Sequence, residues 1–541
     1  MSALIECVPN FSEGRDLEVI RQITARIESV EGATLLHVDP GKATNRTVVT
    51  FAGPPEPVVE AAFRAIAAAA QLIDMRQHSG AHPRMGATDV CPLVPISGIS
   101  MEETAGHARR LAERVGRELG IPVYLYEAAQ PNPARRNLAT IRAGEYEGLA
   151  DRIRLPEWTP DFGPAEFLPA WGATATGARF FLIAYNVNVL GTKEQAHRIA
   201  LDVREQGRGP DQPGRLRAVK AIGWWVAEYG MAQVSMNLDD YTTTPLHAAF
   251  EACAERARAL RVAVAGSEIV GLVPLQALLR SADHYIDREG LLIVDERQKI
   301  RLVADRLGLS AASPFVPEQR IIEYRMGREP EPLAGLTLRG FVELTGSRAP
   351  APGGGSASAL MAALGAALGA MVGWMTYGKR RFEDQDAAMR RLIPILHGAM
   401  DELIPLVDAD TRAFDAYRAA AALSADTPER AAARDAAVQA AVRRAVEVPL
   451  LTMRTADRCW DALVEMARHG NPASRSDLEV GAKALEAGIW GAGRNVAINL
   501  SELADADARR RAEAEARALG ERAALRRDEV LAAVAARAAG V

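Results

Sequence analysis

Near residue 330 the rhythm of this sequence changes. Up to about residue 325, strand-like alternation and helix-like spacing take turns; after the charged Pro/Gly stretch "YRMGREPEPLAGLTLRG" (324–340), strand signals all but stop and Ala-rich helical sequence runs on. With 541 residues the chain is also longer than a single hydrophobic core usually spans. The expected fold class is multidomain, α+β and then all-α.

Within the first part, "LIECVPNF" reads as a strand, "LEVIRQITARIESV" as an amphipathic helix, and "ATLLHVD" and "NRTVVTFAG" as strands around the turn-forming "PGKAT". A helix in "EPVVEAAFRAIAAAAQLIDM", a strand in "DVCPLVPI", a helix capped at Ser100 and a strand in "IPVYLYEAA" follow. This order matches a ferredoxin-like, split βαβ layout better than a doubly wound sheet, which would lack the adjacent strand pair at 33–53. After the connection "EWTPDFGPAEFLPAWGATATGAR" (157–179) the rhythm restarts: strand "FFLIAYNVNVL", helix from Thr192, paired strands around Tyr229-Gly230, a helix and the strand "VAVAGSEIVG". Two ferredoxin-like βαββαβ subdomains, 1–178 and 179–325, are expected, with a ligand groove between them, then a linker at 326–336 and a helical bundle at 337–541.

Bundle helices are expected at about 354–377, 383–421, 427–468 and 476–538, with breaks at Gly378, Thr427-Pro428 and Gly470-Asn471-Pro472. "ASALMAALGAALGAMVGWM" (357–375) is uncharged and long enough to span a bilayer. Its Ala and Gly contribute little insertion energy, and Gly365, Gly369 and Gly373 line one face for close approach. A buried helix without a membrane is therefore expected. Acids and bases interleave in "DADARRRAEAEARALGERAALRRDEV", so a solvated or oligomer-facing helix is favoured over a nucleic-acid stripe. The net charge of -5 also argues against a nucleic-acid partner. Cys7, Cys91, Cys253 and Cys459 form no CxxC pair, so neither a disulfide framework nor a cysteine zinc site is indicated, and a reducing, cytoplasmic location is expected. "MSALIECVPNFSEGRD" offers no apolar core for an export signal.

The stretch "RQHSGAHPRMGATDVCP" from residue 76 places His78 and His82 four apart. A metal pair at that spacing needs a continuous helix, which Gly80 and Pro83 oppose, and a third ligand would have to come from Asp89 or farther away. Surface-loop histidines are the plain reading. The sharper one is an imidazole titrating near neutral pH as general base or acid beside Arg76 and Arg84. In "HVDPGKATNRT" (37–47), Asp39 at a strand end can orient such an imidazole, and Lys42, Thr44, Asn45 and Arg46 supply donors for an anion; Asp39-Pro40-Gly41 also reads simply as a turn. "LVDADTRAF" sets Asp408 and Asp410 two apart, on different faces of a helix. "APGGGSASAL" lacks the GK[ST] ending of a P-loop, but a helix N-terminus there still favours carboxylates.

Taken in order, "LIECVPNFSEG", "ATNRT", "LIDM", "HPRMGATDVCP", "TIRAGEYEGL", "WGATATGAR", "LGTKEQAHRIA" and "REQGRGPDQPGRL" resemble the transferase domain of the formimidoyltransferase-cyclodeaminase family. "APGGGSASA", "MTYGKRRF", "LVDADTRAF" and "RSDLEVGAKALE" resemble its cyclodeaminase domain, so the likeness covers essentially the whole chain. It implies an enzyme that moves a formimino group from N-formimino-L-glutamate to N5 of tetrahydrofolate, then cyclises the product to methenyltetrahydrofolate with loss of ammonia. By resemblance His82 is the transferase base and Asp410 the cyclodeaminase aspartate, with Asp408 as its understudy and Asp39 as a weaker partner for His82. The glutamate carboxylates motivate Lys42, Thr44, Arg46 and Arg84 as substrate contacts.

The resemblance further implies folate contacts in "GPAEFLPAWG" (163–172), namely Gly163, Pro164, Phe167, Trp171 and Gly172, and in the helix bearing Gly365 and Gly369. Phe167 and Trp171 can cover a pterin face or merely pack under a linker, and the two helix glycines can equally serve helix packing. Polyglutamylated tetrahydrofolate as co-substrate, no metal, and a ring-like homo-oligomer complete the expectation. Two other readings compete with it. One is a folate-binding scaffold or monofunctional transferase whose helical domain serves only oligomerisation. The other is a metal-dependent hydrolase.

Overall fold

The computed structural model describes residues 3–42, 44–80, 83–327 and 332–539. The chain forms two compact units, Met1–Leu291 with Asp295–Arg328 and Leu292–Val294 with Glu329–Val541.

In the first unit the opening strand is split by Val8-Pro9 into β1 (Leu4–Cys7) and β2 (Asn10–Phe11). Then come α1 (Leu17–Glu28), β3 (Thr34–Gly41), β4 (Arg46–Gly53), α2 (Pro55–Leu72), β5 (Thr88–Ser97), α3 (Met101–Arg114) and β6 (Val123–Glu127). Sequence dictates several of these ends. The Asp16 carboxylate accepts the Glu18 and Val19 amides to start α1, and Ser100 and Glu103 close a reciprocal capping box on α3. β4 pairs antiparallel with β3 on one side and with β1 and β2 on the other, and both halves of the split strand also pair antiparallel with β5. That is the ferredoxin-like arrangement expected.

The sheet then continues. After the short helices α4 (Leu138–Arg142) and α5 (Glu145–Arg152), β7 (Thr174–Ala178) inserts parallel between β5 and β6. The sequence reading left this strand inside a connection because "TATGA" lacks bulky alternation. Its small size is the reason it fits: β7 is wholly buried, a Cβ on Gly177 would run into Tyr126, and the Thr174 and Thr176 hydroxyls bond the Thr88 and Cys91 carbonyls at 2.8 and 2.6 Å.

The second half of this unit builds β8 (Ile183–Leu190), α6 (Lys193–Val203), β9 (Val219–Val226), β10 (Met231–Leu238), α7 (Leu246–Ala259) and β11 (Ala263–Val270) into an antiparallel sheet ordered β11-β8-β10-β9. α8 (Leu275–Glu289), α9 (Glu296–Arg306) and the short α10 (Pro317–Arg320) and α11 (Ile322–Met326) follow. Leu36, Ala52, Val94 and Ile96 of the first sheet join the core of the second, so the two sheets are packed together and can share a groove.

The second unit is helical: α12 (Leu338–Thr345), α13 (Gly354–Trp374), α14 (Asp386–Ala421), α15 (Pro428–Asp457), α16 (Trp460–His469), α17 (Arg475–Leu500) and α18 (Ala506–Ala539). Two expected long helices are each broken in two. One break lies at Arg458-Cys459, and the other at 501–505, where Asp505 accepts the Asp507 and Ala508 amides at 3.0 Å. By length and composition α13 could cross a membrane, yet here it is packed between α14 and α17, with Leu396, Leu463 and Leu485 in the surrounding core.

Glycine makes that packing possible. A Cβ on Gly365 would lie 2.7 Å from the Leu485 amide and 2.8 Å from the Gly481 carbonyl oxygen, and one on Gly369 would lie 2.7 Å from Leu463 Cδ1. Gly365→Val is therefore expected to push α13 off α17 and destabilise the bundle by about 1–3 kcal/mol or more. Thermal unfolding checks it: a transition unchanged from the parent protein would show that the helices are not in this contact.

Candidate functional site

The sheets of the first unit flank an open cavity of about 870 Å³. Val90, Pro92, Tyr126 and Glu127 of the first sheet line it on one side, Ala218, Lys220 and Asp239 of the second on another, and the α4–α5 segment closes it. Its wall is built around Asp89, which is completely buried. The Asp89 carboxylate accepts the Met85 amide at 3.1 Å and takes two hydrogen bonds from Arg142, one of them from Nε at 3.2 Å. Arg46 approaches the same carboxylate at 3.9 Å. Burial pulls the Arg46 guanidinium down to about 10, an effect that Asp89 opposes and Arg142 reinforces. Two guanidiniums thus share one carboxylate on a cavity wall. The excess positive charge suits the carboxylates of a small dicarboxylic substrate.

Of the residues expected to touch that substrate, Arg46 alone among the described ones lines the cavity. Arg84 is buried and does not line the cavity: its guanidinium pairs with Glu147 at 2.6 and 2.8 Å and with Glu145 at 3.2 Å, while its Nε donates to His78 Nδ1 at 3.3 Å, ties that order the loop. Lys42 and Asp39 are exposed, Asp39 on the edge strand β3, and the Thr44 hydroxyl bonds its own turn at Gly41 O, 3.0 Å away. The His78 ring meets the Asn45 carbonyl at 2.8 Å, and Arg76 pairs with Asp74. His82 lies outside the described residues. No group of three potential metal ligands occurs among the described residues.

The 163–172 segment docks beside this loop. The Met75 amide bonds Ala170 O at 2.9 Å, the Ala87 amide bonds Trp171 O at 2.9 Å, and Tyr146 bonds Pro169 O. Gly172, at φ +73°, pairs with Gly86, and a Cβ there would strike the Met85 carbonyl; Gly163, at φ +82°, faces the Ile121 carbonyl in the same way. Phe167 stacks obliquely on Tyr146 with ring centres 5.4 Å apart, and Trp171 packs against the core under the first sheet. Pro164 is half-buried. None of the five expected folate contacts in this segment lines the cavity, which instead presents Arg142, Arg179, Lys220 and Glu127. Sequence reasoning passed over these four, although Arg142 lies inside the quoted "TIRAGEYEGL".

In the bundle the two aspartates separate cleanly. Asp408 is 1% exposed and accepts the Leu333 and Ala334 amides at 2.8 and 3.0 Å, which makes it an anchor for that segment. Asp410 sits over the N-terminus of α13: a methyl on Gly355 would overlap its carboxylate, and the Ser356 hydroxyl reaches it at 3.5 Å. Burial raises its carboxyl above the usual range, more than the Ser356 backbone and side-chain hydrogen bonds lower it. A half-buried carboxyl that holds its proton more readily than an exposed one, set beside helix amides, suits a proton shuttle. Gly365 and Gly369, expected at folate, are filled in front by protein atoms, so helix packing accounts for both.

Family models match almost end to end: the formiminotransferase domain N-terminal subdomain over 4–179, the formiminotransferase domain over 184–327, and formiminotransferase-cyclodeaminase over 337–518. A formimidoyltransferase-cyclodeaminase of Dictyostelium discoideum is 54% identical over 94% of this chain and 94% of its own length, and one of Mus musculus is 53% identical over 93% and 94%. The glutamate formimidoyltransferase of Streptococcus pyogenes serotype M1 is 41% identical over 53% of this chain and 95% of its own length. With both halves matched in one chain, this protein belongs to the formimidoyltransferase-cyclodeaminase family.

Proposed function

We propose that the chain transfers the formimino group of N-formimino-L-glutamate to N5 of tetrahydrofolate in its first unit, and in its second cyclises 5-formiminotetrahydrofolate to 5,10-methenyltetrahydrofolate with release of ammonia. The observation that carries this reading is the pairing, in one chain, of an arginine-walled cavity around Asp89 with a half-buried carboxyl, Asp410, at the head of α13.

In the transfer, N5 attacks the amidine carbon and loses its proton while the C–N bond to glutamate breaks and that nitrogen gains one. A single near-neutral base suffices, and His82 takes that role, with Asp39 as its orienting partner. Arg46 and Arg142 receive the glutamate carboxylates, with Lys42 and Thr44 near the entrance, and the 163–172 segment borders the folate. In the cyclisation N10 attacks the formimino carbon, the C–N bond to the departing nitrogen breaks, and Asp410 passes the proton that lets it leave as ammonia. Neither step calls on a metal. The co-substrate is polyglutamylated, the setting cytoplasmic and the assembly a ring-like homo-oligomer. The domains run 1–178, 179–325 and 337–541, joined by the 326–336 linker.

Mixing the purified protein with formiminoglutamate and tetrahydrofolate is expected to produce methenyltetrahydrofolate absorbance and ammonia, with the rate unchanged by exhaustive chelation. Folate binding without conversion would favour the scaffold reading instead. Loss on chelation, restored by a divalent cation, would point to a metal-dependent enzyme.

A further inference from the structure

Besides Asp89 behind the wall, four acidic residues line the cavity itself, and three of them have partners. Asp239 is paired with Lys220 at 2.7 Å, Asp240 holds Thr242 and Thr243 at 2.6–2.8 Å, and Glu145 faces Arg84 at 3.2 Å. Glu127 differs. Among the described residues its carboxylate has no hydrogen-bond or ion-pair partner, although Arg179 and Lys220 contribute to the field around it. Desolvation at the cavity wall raises its carboxyl more than the Arg179, Lys220 and Arg136 charges lower it, while the residue as a whole keeps an exposed surface open to a ligand.

The backbone presents this side chain at a cost. Glu127 ends β6 at φ +47°, a left-handed conformation unfavourable for a residue with a Cβ. It is held there by its amide on the Arg136 carbonyl at 2.9 Å and its own carbonyl on the Gln130 amide at 3.1 Å. Three of the five non-glycine residues with positive φ among the described residues, Glu127, Glu145 and Ala218, line this one cavity. Strained backbone concentrated around a cavity marks a surface shaped for a ligand.

Resting on the transferase reading, we propose that Glu127 is the positioning residue for the pterin ring, its carboxylate accepting the adjacent N3–H and 2-amino donors of tetrahydrofolate. These two donors lie side by side like the fork of a guanidinium, and a carboxylate is their complementary bidentate acceptor. The arginines at Asp89 provide the opposite chemistry for the formimino donor's carboxylates. One cavity can thus sort two substrates by charge: donor edge to Glu127, carboxylates to Arg46 and Arg142.

The test compares the protein and its Glu127→Gln variant on tetrahydrofolate and on an analogue with hydrogen in place of the 2-amino group. In the unchanged protein the analogue is expected to raise the folate KM about 10-fold or more, the size of losing a charge-assisted hydrogen bond. Glu127→Gln is expected to raise the KM for tetrahydrofolate by about 10- to 100-fold, to leave the KM for formiminoglutamate within about twofold, and to treat the two folates nearly alike. An active protein that is indifferent to the 2-amino group, or a variant whose formiminoglutamate KM rises instead, overturns the pterin assignment alone. A protein that transfers no formimino group at all overturns the transferase reading and this assignment with it.

Discussion

Asp410→Asn is expected to slow cyclisation of 5-formiminotetrahydrofolate by about 100- to 10,000-fold while leaving formimino transfer near the parent rate. The substitution keeps the volume beneath Gly355 and an oxygen for Ser356, so the head of α13 has no reason to rearrange. What it removes is the proton. An amide neither accepts nor releases one in the accessible range, and the raised carboxyl of Asp410 is the group that could. Asp408→Asn makes the control. Both oxygens of Asp408 accept backbone N–H groups, so an amide would turn its NH2 against one of them and cost about 1–3 kcal/mol of bundle stability. Its defect is therefore expected in thermal unfolding, with cyclisation retained where the bundle remains folded. Rates measured on supplied 5-formiminotetrahydrofolate separate the two; a folded Asp410→Asn protein that cyclises normally would remove the shuttle.

The same pair shows what sequence can and cannot say. Spacing put Asp408 and Asp410 on different faces of one helix but could not say which face met the Leu333–Ala334 amides and which met the head of α13, because both partners lie more than fifty residues away in sequence. The strand and helix order was legible because caps and alternation are local, as at Asp16 and Ser100. β7 was missed because a strand of Thr, Ala and Gly buried on both faces carries its reason in its neighbours. The cavity was the least legible part. Arg46, Asp89 and Arg142 become one site only through the fold, and Arg84 looked like a free cation until Glu147 and Glu145 closed on it. Charge type can be read along a chain, but charge pairing needs three dimensions.

His82→Ala is expected to lower formimino transfer by about 100- to 10,000-fold and to leave cyclisation of supplied 5-formiminotetrahydrofolate unchanged. The chain on either side of this position is firmly placed. On one side Gly80 lies so close to the Thr44 carbonyl that a Cβ would overlap it, the Ser79 carbonyl accepts the Asn45 side-chain Nδ2–H at 3.1 Å, and the His78 ring rests on the Asn45 carbonyl. On the other, Pro83 lines the same cavity as Arg46. General-base catalysis makes a further demand that a structural role does not: free imidazole in the buffer should recover part of the transfer rate in His82→Ala, with a pH dependence set by the added base. If a folded His82→Ala protein transferred at the parent rate, another group would be carrying the proton. Loss of cyclisation as well would mean that the two chemistries are not divided between the two units, since one missing imidazole would then have reached Asp410.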